Sequence, residues 1–196
     1  MEEPALSKAK EKALRQWSGS LRTNLQPLSE RPAHIEGRTQ AGHWERDTVI
    51  GAAHKQAIVT VVERKSWYAV MVKVSNKTSD LVGSAIIKSL KPYEARVKTL
   101  TCDNGKEFSR HAEIDKALGS TGHFASPSAS WERGSNENFN GLLRQYVHKK
   151  RQLANITGEE LKMIENRLNK HPRKGLGFRT HPEVFHQSLS RVALRA

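Results

Sequence analysis

The order of strand-like and helix-like segments predicts a mixed α/β fold for this chain of 196 residues. Three closely spaced runs of β-branched and aromatic residues come first, and the short links between them indicate an antiparallel meander. Segments of helical periodicity then alternate with further short strands. This order is typical of a sheet flanked by helices, and it differs from that of an all-helical protein or a β-sandwich.

The three opening strands are expected at residues 43–52, 57–65 and 67–74. A helix is expected at 78–93, because apolar residues recur at helical spacing after a cap at Thr78 or Ser79. The remaining elements are a strand at 96–105, a helix at 108–119, a short strand at 121–125, and helices at 130–147 and 157–172. The last of these helices begins with a capping box, in which Thr157 is followed three residues later by Glu160.

Composition divides the chain into a leader, one globular domain and a tail. Residues 1–40 are rich in Ser, Pro, Gly and charge, which is typical of linkers and weakly packed arms, although a short helix is expected at 11–17. The domain is expected at 41–186 and the tail at 187–196.

The positive charge is large and unevenly distributed. The chain carries 33 Lys and Arg against 20 Asp and Glu, and residues 139–196 alone carry 12 basic and 4 acidic side chains. A localised excess of this size is the usual electrostatic signature of a nucleic-acid-binding protein, although a solvated basic surface is the simpler alternative.

Several other classes of protein are disfavoured. No apolar segment approaches the roughly 20 residues of a membrane span, and no secretory signal is visible, so we expect a cytoplasmic protein without a membrane partner. The single Cys102 excludes a disulfide framework and a zinc site built from several cysteines. No phosphate-cradling glycine loop is present, so no nucleotide cofactor is expected.

Two aspartates in predicted strands are candidates for a functional site. Strand alternation places Asp47 on the same face as Glu45 and Val49. Asp103 follows a strand at the point where it runs into a turn, and active groups of α/β sheets tend to lie at strand ends. The alternative for each residue taken alone is structural, because Asp47 could simply face outward and Asp103 could form the turn.

A third carboxylate lies on a polar, basic stripe of a predicted helix. Helical spacing aligns Glu137 with Arg133, Asn140 and Arg144, with a gap at Gly141. Two or three carboxylates are the minimum that holds a pair of hard divalent cations about 4 Å apart, and such pairs catalyse phosphodiester cleavage and transfer. A basic surround would then compensate the phosphates of the nucleic acid.

Five sequence blocks in this order resemble the catalytic region of the IS30 family of bacterial insertion-sequence transposases. The blocks are GHWERDTVIG, VVERKSWY, DNGKEF, SWERGSNENFNGLLRQY and RLNKHPRKGLGFRTHPEVF. The resemblance covers residues 28–186 and implies an RNase H-like integrase core, a mixed sheet in which parallel strands are added to three antiparallel ones. Thirty-three residues separate Asp103 from Glu137, which matches the family spacing.

The resemblance also implies a reaction and a set of partners. Asp47, Asp103 and Glu137 correspond to the catalytic and metal-binding Asp-Asp-Glu triad, with two Mg²⁺ or Mn²⁺ ions as cofactors. The expected reaction is cleavage of DNA strands and their transfer during transposition, with the ends of the insertion sequence and target DNA as partners and self-association on that DNA. The candidates for DNA contacts are Lys106, Arg133, Asn136, Asn138, Asn140 and Arg144.

The chain departs from the family pattern at three places, and the first 40 residues leave no room for the helix-turn-helix region expected ahead of the core. Arg46 stands where the family usually has Gly, HKKRQL replaces a Pro-Lys-Gly turn, and FASPSAS lacks an expected His and Tyr. Strand alternation points Arg46 away from the Asp47 face. Two further hypotheses therefore stand beside the transposase: a truncated, catalytically impaired remnant that binds DNA, and a nuclease that cleaves without strand transfer.

Overall fold

The computed structural model of the protein describes residues 26–52, 55–125 and 133–193. The helix expected at 11–17 and the loop at 126–130 lie outside the described residues. The structure has a six-stranded sheet with helices on both faces. None of the described helices is long and apolar enough to cross a membrane.

The sheet combines an antiparallel meander with parallel additions, as predicted. Its strands are β1 (Gln26–Pro27), β2 (His43–Ile50), β3 (Ala57–Glu63), β4 (Ala69–Val74), β5 (Thr99–Cys102) and β6 (Thr121–Phe124). The spatial order is β1-β6-β5-β2-β3-β4. The pairs β2–β3 and β3–β4 are antiparallel, whereas β2–β5, β5–β6 and β1–β6 are parallel.

Within the described residues, five α-helices surround this sheet. They are α1 (Ser79–Leu90), α2 (His111–Leu118), α3 (Gly134–Leu143), α4 (Gly158–Asn169) and α5 (His181–Ala193). The predicted caps are present: the Thr78 hydroxyl accepts from the Leu81 amide, and the Thr157 hydroxyl accepts from the Glu160 amide. Gly119 ends α2 in the left-handed conformation at φ 61°, which glycine adopts without strain. The sequence patterns do not predict α5.

The two faces of the sheet carry separate apolar cores. On one face, Trp44, Val59 and Leu100 pack with residues of α1 and α2. On the other, Val49 and Ile58 pack with residues of α3 and α4. Alternation along β2 therefore places Asp47 on the α3 face and Arg46 on the α1–α2 face, as expected from the sequence.

The described part of the expected leader, residues 26–40, packs against the sheet. Ile35 is buried, and the Arg31 guanidinium is paired with Glu36 and donates to the Thr101 hydroxyl. Arg64 links this segment to β2, because it contacts both Glu36 and the buried Glu45. The segment thereby supports the strand that carries Asp47.

Candidate active site

Two parallel strands bring Asp47 and Asp103 to the same level of the sheet. The register pairs Glu45 on β2 with Thr101 on β5. Asp47 and Asp103 each lie two residues beyond this pair. Neighbouring strands lie about 4.8 Å apart, so both carboxylates emerge side by side on the α3 face.

One oxygen of each carboxylate is held by the backbone. The Thr48 amide donates to Asp47 Oδ1 at 2.7 Å, and the Gly105 amide donates to Asp103 Oδ1 at 2.9 Å. The Asn140 amide group donates to the second oxygen of Asp47, Oδ2, at 3.0 Å. These bonds fix the orientation of both carboxylates.

The guanidinium of Arg133 lies between the two aspartates. Its Nη1 is 3.5 Å from Asp47 Oδ2, and its Nη2 is 3.5 Å from Asp103 Oδ2. The Arg133 side chain is only 13% exposed, whereas that of Asp103 is 40% exposed. The acid pair thus shares one cation from the chain itself.

Burial raises the pKa of the Asp47 carboxyl above its ordinary value. The neighbouring carboxylates of Asp103 and Glu107 act in the same direction, while the Arg133 guanidinium and the Thr48 amide oppose the rise. Like charges gathered in a partly buried place favour a bound cation, because the cation relieves their repulsion.

Glu137 lies on the exposed side of α3 and faces the same pocket. The pocket has a volume of about 250 Å³ and is lined by Asp47, Arg133, Glu137 and Asn140. Helix α3 runs alongside β2 in the same direction, because Asn140 contacts Asp47 and Arg144 donates to the Ile50 carbonyl at 3.0 Å. The structure therefore places the third predicted acid opposite Asp47.

The six residues predicted to contact DNA lie in four different environments. Lys106 and Asn138 are exposed, whereas Arg133 and Asn140 contact the aspartates. Arg144 is tied to the end of β2, and burial lowers its pKa. Asn136 is fully buried, and its side-chain amide donates to the carbonyls of Glu45 and Thr60. Asn136 therefore joins α3 to the sheet and has no free polar group for DNA.

A fourth acid, Glu107, supports the turn after β5. In the structure it is buried, pairs with Lys77 at 2.7 Å and accepts from the Thr48 hydroxyl at 3.1 Å. A Cβ atom at Gly105 would lie 2.5 Å from Glu107 Oε2, so a side chain there would have to displace the Glu107 carboxylate.

The two aspartates provide oxygen ligands suited to a hard divalent cation, but the described residues do not form a complete metal site. Among the described residues, no group of three or more His, Cys, Asp or Glu side chains is arranged so that it could hold a metal ion. Two oxygens, Asp47 Oδ2 and Asp103 Oδ2, nevertheless converge on one cationic group. Carboxylate oxygens in such a pair are the ligands that Mg²⁺ and Mn²⁺ prefer.

Comparison with curated proteins shows clear relatives. The transposase for insertion sequence element IS4351 of Bacteroides fragilis is 40% identical over 163 residues, which are 83% of this chain and 50% of that protein. The transposase InsI for element IS30A of Escherichia coli is 40% identical over 169 residues, or 85% and 44%. The transposase for element IS1086 of Cupriavidus metallidurans is 38% identical over 161 residues, or 82% and 48%. The chain thus spans about half the length of these relatives.

Solved structures of integrases share the fold. The catalytic core domain of BIV integrase superposes with a TM-score of 0.60 at 24% identity and covers 79% of this chain and 99% of that one. A chain of a simian T-cell lymphotropic virus intasome superposes with a TM-score of 0.61 at 17% identity, with coverages of 86% and 58%. These neighbours confirm the RNase H-like fold. No family model matches the chain.

Proposed function

This chain is homologous to IS30-family transposases over most of its own length, and on that basis we propose that it is the catalytic domain of a DNA transposase. It would cleave DNA strands and transfer them to a target during transposition of an insertion sequence. The homologues support an enzyme of the polynucleotidyl-transferase type and do not favour an impaired DNA-binding remnant.

One observation carries this proposal: neighbouring parallel strands bring Asp47 and Asp103 together around a single cationic group, with Glu137 across the same pocket. Two neighbouring carboxylates repel each other unless a cation lies between them. Their convergence supports the Asp-Asp-Glu assignment.

Asp47 and Asp103 would hold the divalent metal, Mg²⁺ or Mn²⁺ as two ions, and Glu137 would complete the ligand set of one. Such ions, when bound, activate the attacking hydroxyl and stabilise the leaving oxygen. The Asn140 side-chain amide donates a hydrogen bond to Asp47 Oδ2. The backbone amides of Thr48 and Gly105 donate to the Oδ1 atoms of Asp47 and Asp103. These hydrogen bonds would hold the two aspartates in a fixed orientation.

The DNA would lie along the exposed side of α3 and continue over a basic segment at His148, Lys149 and Lys150, which are all exposed. This segment sits beyond the end of β2, because the Ala52 amide donates to the Arg151 carbonyl at 3.2 Å. A Cβ atom at Gly51 would lie 2.7 Å from Leu153 Cγ, so the contact is close. A fixed row of positive charge next to the acid pocket suits a phosphate backbone.

The proposal extends to assembly and setting. The partners would be the ends of the insertion sequence and target DNA, with self-association of the protein on DNA and without a nucleotide cofactor. DNA cleavage and strand transfer would take place in the bacterial cytoplasm, on DNA of the nucleoid. Within the chain, the catalytic domain would comprise residues 41–186, with residues 26–40 packed against its sheet and α5 continuing to Ala193.

The deciding experiment compares the parent chain with D103N in a nicking and strand-transfer assay on terminal-repeat DNA with Mg²⁺ or Mn²⁺. D103N should lose cleavage and joining and keep DNA binding, because it removes a metal-ligand charge and not the basic surface. D80N is the matched control, since Asp80 is an exposed acid on α1 that pairs with Arg110. Equal activity of D103N and the parent would reject the metal assignment.

The same assay separates the other two hypotheses. DNA binding that weakens steeply with salt and gives no products would indicate the remnant. Hydrolysis without joined products would indicate a nuclease.

A further inference from the structure

We propose that Arg133 is a positioning residue of the metal site, whose guanidinium holds Asp47 and Asp103 together until a divalent cation takes its place. This inference rests on the proposed function, because it concerns the same two acids. It assigns Arg133 a role beyond the DNA contact that the sequence predicts.

The first argument is which oxygens Arg133 contacts. The Oδ1 atoms of Asp47 and Asp103 are occupied by backbone amides, at 2.7 and 2.9 Å. The Oδ2 atoms are the ones that face Arg133, each at 3.5 Å from a different nitrogen of the guanidinium. A metal held by both acids would compete with the guanidinium for these carboxylates, one of which, Asp47 Oδ2, also accepts from Asn140 at 3.0 Å.

The second argument is the weakness of the contact. Charge-assisted hydrogen bonds between a guanidinium and a carboxylate are shortest at about 2.7–2.9 Å, and both contacts here are longer. The Arg133 Nε atom is buried and has no hydrogen-bond partner among the described residues. Arg133 is therefore only loosely held, and a divalent ion with a stronger preference for carboxylate can displace it.

The third argument is position. Arg133 immediately precedes the first residue of α3 and lines the pocket together with Glu137. Once displaced, its fork of donors remains beside the pocket, where a phosphate oxygen of the DNA backbone would accept from it. The same side chain then changes from a counter-ion of the acids to a ligand of the substrate.

The test measures Mn²⁺ affinity by calorimetry for the parent chain, R133Q, R133K and D103N. R133Q should bind Mn²⁺ about two- to fivefold more tightly, since a competing ion pair is removed. R133K should lie between R133Q and the parent, because one ammonium group cannot span both acids. R110Q is the control and should bind as the parent does, since Arg110 forms its ion pairs with Asp80 and Glu113 on the other face.

A second readout is the thermal stability with and without Mn²⁺. Metal-free R133Q should melt at a lower temperature than the parent, because the two aspartates then repel each other, and it should gain more on addition of Mn²⁺. R133K supplies the same comparison in case R133Q does not fold.

The outcomes separate this inference from the proposed function. Mn²⁺ affinity of R133Q equal to or weaker than that of the parent, with D103N unable to bind, overturns the role of Arg133 and leaves the metal site in place. Equal Mn²⁺ binding by D103N and the parent overturns the metal site and the role of Arg133 together.

Discussion

Replacing Arg46 by methionine should stabilise the protein. Arg46 is fully buried on the α1–α2 face of β2, and none of its guanidinium nitrogens has an oxygen or nitrogen partner among the described residues. Its guanidinium carbon lies 5.2 Å from the centroid of the Phe108 ring. Methionine keeps an unbranched chain of similar length and removes the charge.

The expected magnitude follows from the balance of these contacts. A buried charge left without its partner costs about 3–5 kcal/mol. The contact with the Phe108 ring returns about 1–2 kcal/mol. Burial raises the pKa of the Asp115 carboxyl, and the Arg46 charge opposes this rise. Attraction between the two groups therefore offsets part of the remaining cost. The net gain for R46M is therefore about 2 kcal/mol, or about 4–8 °C in melting temperature for a chain of this length.

Thermal unfolding followed by circular dichroism measures the shift, and urea unfolding should give a higher midpoint with an unchanged slope. R64M is the matched control, because Arg64 is a buried arginine that pairs with Glu45 at 2.6 Å. Removing it leaves Glu45 buried and unpaired, so R64M should lose about 3–5 kcal/mol. An R46M chain that melts at or below the temperature of the parent would refute this reasoning.

Two further predictions concern the site and the DNA surface. N140A should lose most strand-transfer activity while DNA affinity stays within about twofold, because Asp47 loses the donor that orients Oδ2. N166A, which removes an exposed asparagine of α4, is its control in the strand-transfer assay, and equal losses for both would contradict the orienting role. K149Q/K150Q should weaken DNA binding and reduce the salt slope by about 2, since each phosphate contact contributes about 0.9. An equal effect from exchanging exposed lysines of the opposite face, Lys88 and Lys116, in the same salt titration would show that only total charge matters.

Strand periodicity was sufficient to predict much of the fold and the two aspartates. A period of two residues fixes which side chains of β2 face α3, and this placed Asp47 and Arg46 on opposite faces before the structure was known. The side-by-side position of Asp47 and Asp103 depends in addition on the parallel register of β2 and β5. Register between distant strands is set by tertiary packing, so local patterns alone could not supply it.

The helices were harder to interpret, because their rotation against the sheet is not local information. The sequence placed Glu137 on a basic stripe, but the structure turns Asn140 and Arg144 towards β2 and buries Asn136 completely. Arg133 was predicted to contact DNA because it lies on this basic stripe. The helical pattern does not reveal which acids a positive residue faces.

Helix α5 had a signal that the turn residues before it obscured. Thr180 and Glu183 form a capping box, in which the Thr180 amide and hydroxyl donate to the Glu183 carboxylate at 2.7 and 2.8 Å. Val184 and Phe185 then fill the first turn and are buried. Pro172 and the glycines of the preceding segment indicate turns and obscured this pattern. Pro182, near the start of the helix, is favourable there.

The two faces of β2 also separate Arg46 from the candidate site at Asp47. Arg46 and Asp47 are consecutive, yet their side chains lie in different cores, one against Phe108 and the other against α3. A charge buried on the α1–α2 face lowers the free energy of unfolding of the whole domain, and it leaves the orientation of Asp47 to Thr48 and Asn140. Arg46, at the position where the resemblance implies glycine, should therefore affect stability, while the orientation of Asp47 depends on Thr48 and Asn140.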